Sequence, residues 1–376
     1  MSLSAVPDLP VTTPLARPTA VVYCEANLGE TDGKTADGLV RHSEKYEILA
    51  VIDSRHAGLD AGMVLDGAAN GIPIRRDLDD ALLRSGTRPD VLIFGLAPTS
   101  GMLSIDERGV LLEAMSRGLG VVSGLHEFLG EDPQFVAASL EHDVPIVDIR
   151  RPRAKKDLRT FSGRILQVSC PRIAVLGTDC AIGKRTTATA LTRALNDSGL
   201  HAVMVGTGQT GLMQGARYGV ALDAVPAQFG AGELEAAVVD AFEHEHPDVI
   251  VIEGQGSLSH PAYSSSAFVL RGGRPDGVIL QHAPARPHRS DFPMFEMPTP
   301  EREIHLIEAF ADTRVIGLTI NHEDMTDAEV SAAITLYEAS LSIPATDALT
   351  RAPERLVEMV LLAFPQLARK LSAVGS

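Results

Sequence analysis

Apolar residues in this chain fall into short, nearly continuous runs that alternate with amphipathic stretches of helical period. The first run, "TAVVYCEA" from Thr19, is followed by a polar glycine-containing stretch and the helical pattern "TADGLVRH". The second, "YEILAVIDS", ends in an aspartate, and "PDVLIFGLA", a helix over "IDERGVLLEAMSRG", the short strand "GVVSGL", another helix and "VPIVDIR" complete the series near Arg150. Strands that read as unbroken apolar runs are those buried on both faces, as in a parallel sheet covered by helices. A Rossmann-like domain is therefore predicted over 19–152, behind a proline-rich, loosely held leader at 1–18. The basic, polar segment "RPRAKKDLRTFSGRILQVSC" interrupts the pattern and marks a linker over 153–170. A second series then starts at Arg172, with strands "RIAVLG", "HAVMVGTG", "VIVIEGQG", "GVILQH", "RVIGLTIN" and "IPATD" and a closing helix over "PERLVEMVLLAF". The expectation for 171–376 is a second doubly wound α/β domain.

Composition narrows the partners. The 376 residues carry a formal net charge of -16, which opposes attraction to nucleic acids and anionic membrane surfaces. A small-molecule partner is expected, with no nucleic acid and no membrane. The longest apolar runs are strand-sized, well short of the roughly 20 residues that cross a bilayer. Three cysteines, Cys24, Cys170 and Cys180, are too few and too scattered for a disulfide framework. The N-terminus lacks a basic start followed by an apolar core, so a cytoplasmic location is expected. A homo-oligomer is expected too.

The chemistry is announced by "RIAVLGTDCAIGKRTTATALTRAL". A strand feeds a glycine turn at Gly177, and Gly183-Lys184 opens a helix, which is the context of a phosphate-binding loop: inward amides, a positive helix end and a mobile lysine. The C-terminal domain is thus predicted to be P-loop NTPase-like. Five residues rather than four separate Gly177 from Gly183, and Arg185 stands where a magnesium-binding Ser or Thr normally follows the lysine. Thr186 or Thr187 can take over that ligation, or Arg185 can supply positive charge in place of a metal. Asp179 inside the loop must turn its carboxylate away from a phosphate, either toward an ammonium or magnesium-bound water, or onto the loop's own amides.

Other strand ends supply further candidates, because ligands sit at the carboxyl ends of open α/β sheets. "VIEGQGSL" places Glu253 there, followed by Gly254 and Gln255; "GTGQTGL" offers Gln209 and Thr210; "NHEDM" offers Asn321, with an amide suited to a base edge. The loop "QHAPARPHRSDFPMFEMP" carries His282, Arg286, His288, Arg289 and Asp291. Its histidines lack the spacing of a zinc site, so no metal is expected. In the first half, Lys34, Thr35 and Arg41, and His126 with Glu127, follow strand ends without dinucleotide-binding spacing. Packing or substrate contacts across the domain interface are the better reading of them.

"GTDCAIGKRTT" and "VIEGQG" resemble the loop and strand-end glutamate of dethiobiotin synthetase and its amidoligase relatives. Across nearly the whole chain, the four signatures at Gly177 to Thr187, Thr207 to Gly211, Glu253 to Leu258 and Gln281 to Pro284 resemble the domain-of-unknown-function family sixteen-eleven. That resemblance implies an N-acetyltransferase for D-glutamate and related D-amino acids, using acetyl-CoA and working with an enolase-superfamily racemase. Its pyrophosphate and 3′-phosphate would occupy a loop made of Gly177, Thr178, Asp179, Gly183, Lys184, Arg185, Thr186 and Thr187, with Asn321 on the base. Glu253 or His288 would be the base and Lys184 a catalytic charge. Gln209, Thr210, Gly254, Gln255, His282, Arg286 and Arg289 would bind the amino acid, the arginines through its carboxylates. The alternatives are an ATP- and magnesium-dependent ligase or kinase acting on a small carboxylate, and a non-catalytic nucleotide-sensing module.

Overall fold

The computed structural model describes residues 17–84, 86–98 and 100–374, so most of the leader lies outside the described residues. The first domain is a six-stranded sheet of β1 (Thr19–Tyr23), β2 (Glu47–Ile52), β3 (Ile74–Arg75), β4 (Val91–Phe94), β5 (Gly120–Ser123) and β6 (Ile146–Asp148). Every pairing is parallel and the order is β3-β2-β1-β4-β5-β6, the doubly wound Rossmann order. The second domain contains β7 (Arg172–Gly177), β8 (Ala202–Gly206), β9 (Tyr218–Gly219), β10 (Val249–Glu253), β11 (Gly277–His282), β12 (Val315–Ile320) and β13 (Ala345–Thr346). They form a parallel seven-stranded sheet ordered β13-β12-β11-β7-β10-β8-β9. One apolar core fills the first domain, and the second sheet is covered by a separate core on each face. Both halves are thus α/β, Rossmann-like first and P-loop-like second.

The segment read as a linker is a strap rather than a free tether. Two buried carboxylates of the helix Ala227–Glu245 hold it: Glu233 accepts from the Arg159 amide at 2.6 Å, and Glu235 from the Ser162 amide at 2.6 Å and the Ile165 amide at 3.2 Å. Gly232 lets the strap lie flat, since a Cβ there would come within 2.4 Å of the Arg159 carbonyl oxygen.

A short helix of the second domain, Gln209–Gln214, docks on Lys34–Arg41 of the first. Gln209 Nε2 donates to Thr35 Oγ1 at 3.2 Å, the Thr35 and Thr210 hydroxyls are 3.1 Å apart, and Gln214 Nε2 donates to the Gly38 and His42 carbonyls at 2.6 and 2.9 Å. Arg150 ties the same junction, donating to Gln209 Oε1 and pairing with Asp223 at 2.8 Å. The carboxyl end of β1 and that of β8 therefore meet at one seam.

Candidate functional site

The adjacent strands β11, β7 and β10 deliver "QHAP", the glycine loop and "EGQGSLSH" to one edge of the second sheet. The loop leaves β7 with the Thr178 amide donating to the Gln281 carbonyl at 3.0 Å, and the helix Lys184–Asp197 resumes regular bonding with Thr187 N–H to Gly183 O at 2.9 Å. Between them, among the described residues, no backbone N–H from Asp179 to Thr186 donates to a protein acceptor. That is a run of unspent donors at a helix N-terminus, a cradle for an anion. Gly183, at φ 97°, makes the turn that aims them, a conformation that favours glycine. Lys184 is buried, and its ammonium bonds the Asp179 carbonyl while burial lowers its pKa against the pull of Cys180, Asp179 and Glu253.

Arg185 does not join this cradle. Consecutive helical residues point about 100° apart, and the guanidinium lies against the first domain, where a Cβ on Gly38 would come within 2.7 Å of it. Thr187 is also occupied, its hydroxyl donating to Gln281 Oε1 at 2.6 Å, while Thr186 is half-buried.

Asp179 does neither of the things expected of it. Its carboxylate is fully buried, accepts from the Ser290 amide at 2.8 Å and lies 3.4 Å from Arg286 and 3.5 Å from Arg289. Both arginines, expected to read a substrate carboxylate, are spent on the loop itself. Arg286 donates to the Cys180 and Ala181 carbonyls and pairs with Glu323 at 2.6 Å. Arg289 donates to Thr178 O, Ser257 Oγ and Ser259 Oγ at 3.1, 2.9 and 2.8 Å. His288 stays exposed: its short antiparallel bridge with Glu296 alternates side chains, so Arg289 turns inward and His288 outward. Gln209 and Thr210 are held at the domain seam, and Asn321 Oδ1 accepts from the Glu323 amide at 3.0 Å.

Glu253 is buried at the end of β10, accepting through Oε2 from the Thr207 and Gly208 amides at 2.9 and 3.3 Å. Burial raises its pKa, opposed by those amides and by the charges of Arg185 and Lys184. Gly254 is obligatory there, because a Cβ would sit 2.0 Å from the Val175 carbonyl oxygen. The Gln255 amide packs on Gly208 and its carbonyl accepts from Ser266.

Comparison with known families decides what this arrangement belongs to. Residues 159–357 match the family described as "Domain of unknown function (DUF1611_C) P-loop domain", and 54–152 match "Domain of unknown function (DUF1611_N) Rossmann-like domain". The chain belongs to the DUF1611 family. A crystal structure of a DUF1611 family protein from Anabaena variabilis atcc 29413 superposes with a TM-score of 0.85, at 31% identity over 92% of this chain and 100% of that one. A D-glutamate N-acetyltransferase of Tritonibacter scottomollicae is 33% identical over 273 residues, 71% of this chain and 80% of its own length. One from a Pseudoalteromonas species is 31% identical over 271 residues, 70% and 79% respectively. Among the described residues of this DUF1611 chain, no helix is long and apolar enough to cross a membrane.

Two residues of the DUF1611 site, Glu303 and His260, escaped the sequence reading, and Gln281 stood there only as the first residue of a signature. Gln281 gathers Thr187 and Thr319, and buried Glu303 anchors the turn after Glu253 through the Leu258 and Ser259 amides at 2.7 and 3.1 Å. His260 is packed against the loop, with Asp179, Cys180 and His260 offering side-chain atoms within 4.8 Å of one another. The last was legible only as one more polar residue in "GSLSHP". Burial pushes the Cys180 thiol up to about 11, so it is no ready thiolate at neutral pH.

His282, expected to touch substrate, is buried behind the loop with Nδ1 2.9 Å from the Thr178 hydroxyl. Burial lowers its pKa from 6.5 to about 4. The folded state therefore resists a proton the unfolded chain accepts: stability is complete above 6.5 and is lost as pH falls toward 4. Denaturant unfolding is expected to lose about 2 kcal/mol from this group between pH 7 and pH 5. His282→Gln should flatten the curve by that amount; an unchanged pH dependence in the variant refutes the assignment.

Proposed function

We propose that the protein transfers the acetyl group of acetyl-CoA to the amino group of D-glutamate or a related acidic D-amino acid. Relatives named D-glutamate N-acetyltransferase, each matched over about 70% of this chain, support an N-acetyltransferase, and the open amides of Asp179 to Thr186 are the observation that carries the mechanism. Those amides and Lys184 suit the pyrophosphate of coenzyme A as well as they suit a nucleotide triphosphate. The chain lacks a hydroxyl directly after Lys184, and its Arg185 turns to the first domain, which favours anchoring over phosphoryl transfer.

In the reaction, the amine nitrogen adds to the thioester carbonyl, the C–N bond forms, the C–S bond breaks and coenzyme A leaves as its thiol. The substrate ammonium gives up two protons, one to a base and one to the departing sulfur. Glu253 is the proposed base: burial raises the pKa of its carboxyl and so its proton affinity, and its Oε1 has no hydrogen-bond partner among the described residues.

The test follows thiol release from acetyl-CoA with D-glutamate, L-glutamate or no amino acid, each with and without ATP-magnesium. Release that needs D-glutamate but not ATP supports the proposal. ATP hydrolysis coupled to a carboxylate substrate, with acetyl-CoA inert, hands the site to a ligase. In either case Lys184→Ala should weaken binding of the phosphate-bearing ligand by roughly 1.5–3 kcal/mol in calorimetry. Equal affinities in wild type and variant remove the loop from the site.

A further inference from the structure

His260 holds a buried polar atom of the site that its own protein contacts leave unexplained. The residue is 7% exposed and its side chain is fully buried. Its ring stacks on Tyr263 at 4.6 Å and 18° and meets the edge of Phe292 at 5.6 Å, so its plane is fixed. Nδ1 accepts the Ala262 amide at 3.2 Å. Among the described residues Nε2 has no hydrogen-bond partner, and Asp179 Oδ1, at 3.8 Å, lies beyond hydrogen-bonding range. Buried polar atoms are almost always satisfied, so an orphan beside a phosphate-binding loop calls for a ligand.

The amide on Nδ1 decides which ligand. A nitrogen that accepts a hydrogen bond carries no proton, so the proton of the neutral ring is on Nε2. Burial and the charge of Arg289 lower the pKa of His260, which keeps the ring neutral. Nε2 is then a donor, and it cannot ligate a metal without losing that proton. The neighbouring thiol and the two guanidiniums on Asp179 argue against a cation there as well. A ligand acceptor oxygen fits the donor, and Arg286 and Arg289, already paired with Asp179, offset that carboxylate's charge where negative charge develops on the ligand.

We propose that His260 Nε2–H donates to the acyl oxygen of the thioester and stabilises the oxyanion that forms as the amine adds. This rests on the acyl-transfer reading above. A fixed donor aimed in advance at developing charge is worth most where water is excluded, and the loss of a single one costs about 10²–10³ in turnover. Asp179, Arg286 and Arg289 set the position of the loop around it, and Glu303 sets that of the turn that carries it.

His260→Phe keeps the ring stack and removes the donor; His260→Gln returns an N–H on a flexible arm. With D-glutamate as acceptor, His260→Phe is expected to lower kcat for thiol release by about 10²–10³ with little change in KM for acetyl-CoA. His260→Gln should recover part of the loss, and a melt of each variant checks that the fold is retained, since His260→Phe also removes the acceptor of the Ala262 amide and His260→Gln the ring stack. A loss confined to KM, or full activity in His260→Phe, overturns the proposal. Nitrogen-15 NMR of labelled histidine supplies a readout independent of turnover. The Nε2–H resonance, assigned by its absence in His260→Phe, should shift when acetyl-CoA is added and Nδ1 should stay unprotonated. If wild type releases no thiol, the acetyltransferase reading has failed. An Nε2–H shift with acetyl-CoA then still supports the donor, and a shift with ATP alone or zinc capture at Nε2 overturns it.

Discussion

Glu253→Gln is expected to lower thiol-releasing turnover by about 10²–10⁴-fold, the range that a positioned general base contributes. The substitution is informative because it isolates the proton. Glutamine keeps a carbonyl oxygen for the Thr207 and Gly208 amides that Glu253 now satisfies at 2.9 and 3.3 Å, so the turn after β8 retains its anchor. It also removes a negative charge that burial disfavours but that faces the buried Arg185 and Lys184, so the two effects oppose and stability should change little. Affinity for acetyl-CoA should stay near wild type, because the phosphate cradle lies on the neighbouring strand, β7. Steady-state kinetics and a thermal melt on the same preparation check both halves. Full turnover would make Glu253 a structural anchor for the Gly206–Gly208 turn, and a collapsed melting temperature would do the same.

What the sequence made legible follows from which signals are local. Strands such as Val249–Glu253 and Gly277–His282 are buried along their whole length, so they appear as bare apolar runs and the α/β class can be read without coordinates. β3 and β9, of two residues each, are absent from the sequence reading, whereas β13, equally short, was legible within "IPATD". The glycine loop was legible because strand, turn and helix all leave marks within one segment. The direction of its side chains was not. Lys184 and Arg185 are neighbours in sequence, yet one points into the loop and the other to Gly38, and only the placement of the first domain decides that. Gln209, beside a glycine turn at a strand end, has the sequence of a ligand contact and the position of a domain clamp. His260 carries no local mark at all. Its meaning comes from Asp179, some 80 residues earlier in the sequence, and from rings at Tyr263 and Phe292.

Asp179 carries the other large expected effect, on stability rather than rate. Its carboxylate is the only side-chain anion paired with Arg289 among the described residues, and it shares Arg286 with Glu323. Removing one partner of a buried ion pair leaves the other charge uncompensated in a medium that solvates it poorly, at a cost of about 3–5 kcal/mol. Arg289 keeps neutral acceptors on Thr178, Ser257 and Ser259, which places Asp179→Ala at the lower end, about 3 kcal/mol. For a domain of this size that corresponds to a fall of roughly 6–12 °C in melting temperature. Asp179→Asn should fall less, because its side-chain oxygen still accepts the Ser290 amide, now 2.8 Å away. The double variant Asp179→Ala with Arg289→Met should recover part of the loss, since the stranded charge goes with its partner. Additive losses in the double variant would show that Asp179 and Arg289 act separately. An unchanged melting temperature in Asp179→Ala would show that the acid's place in the loop is kept for a ligand and not for the fold.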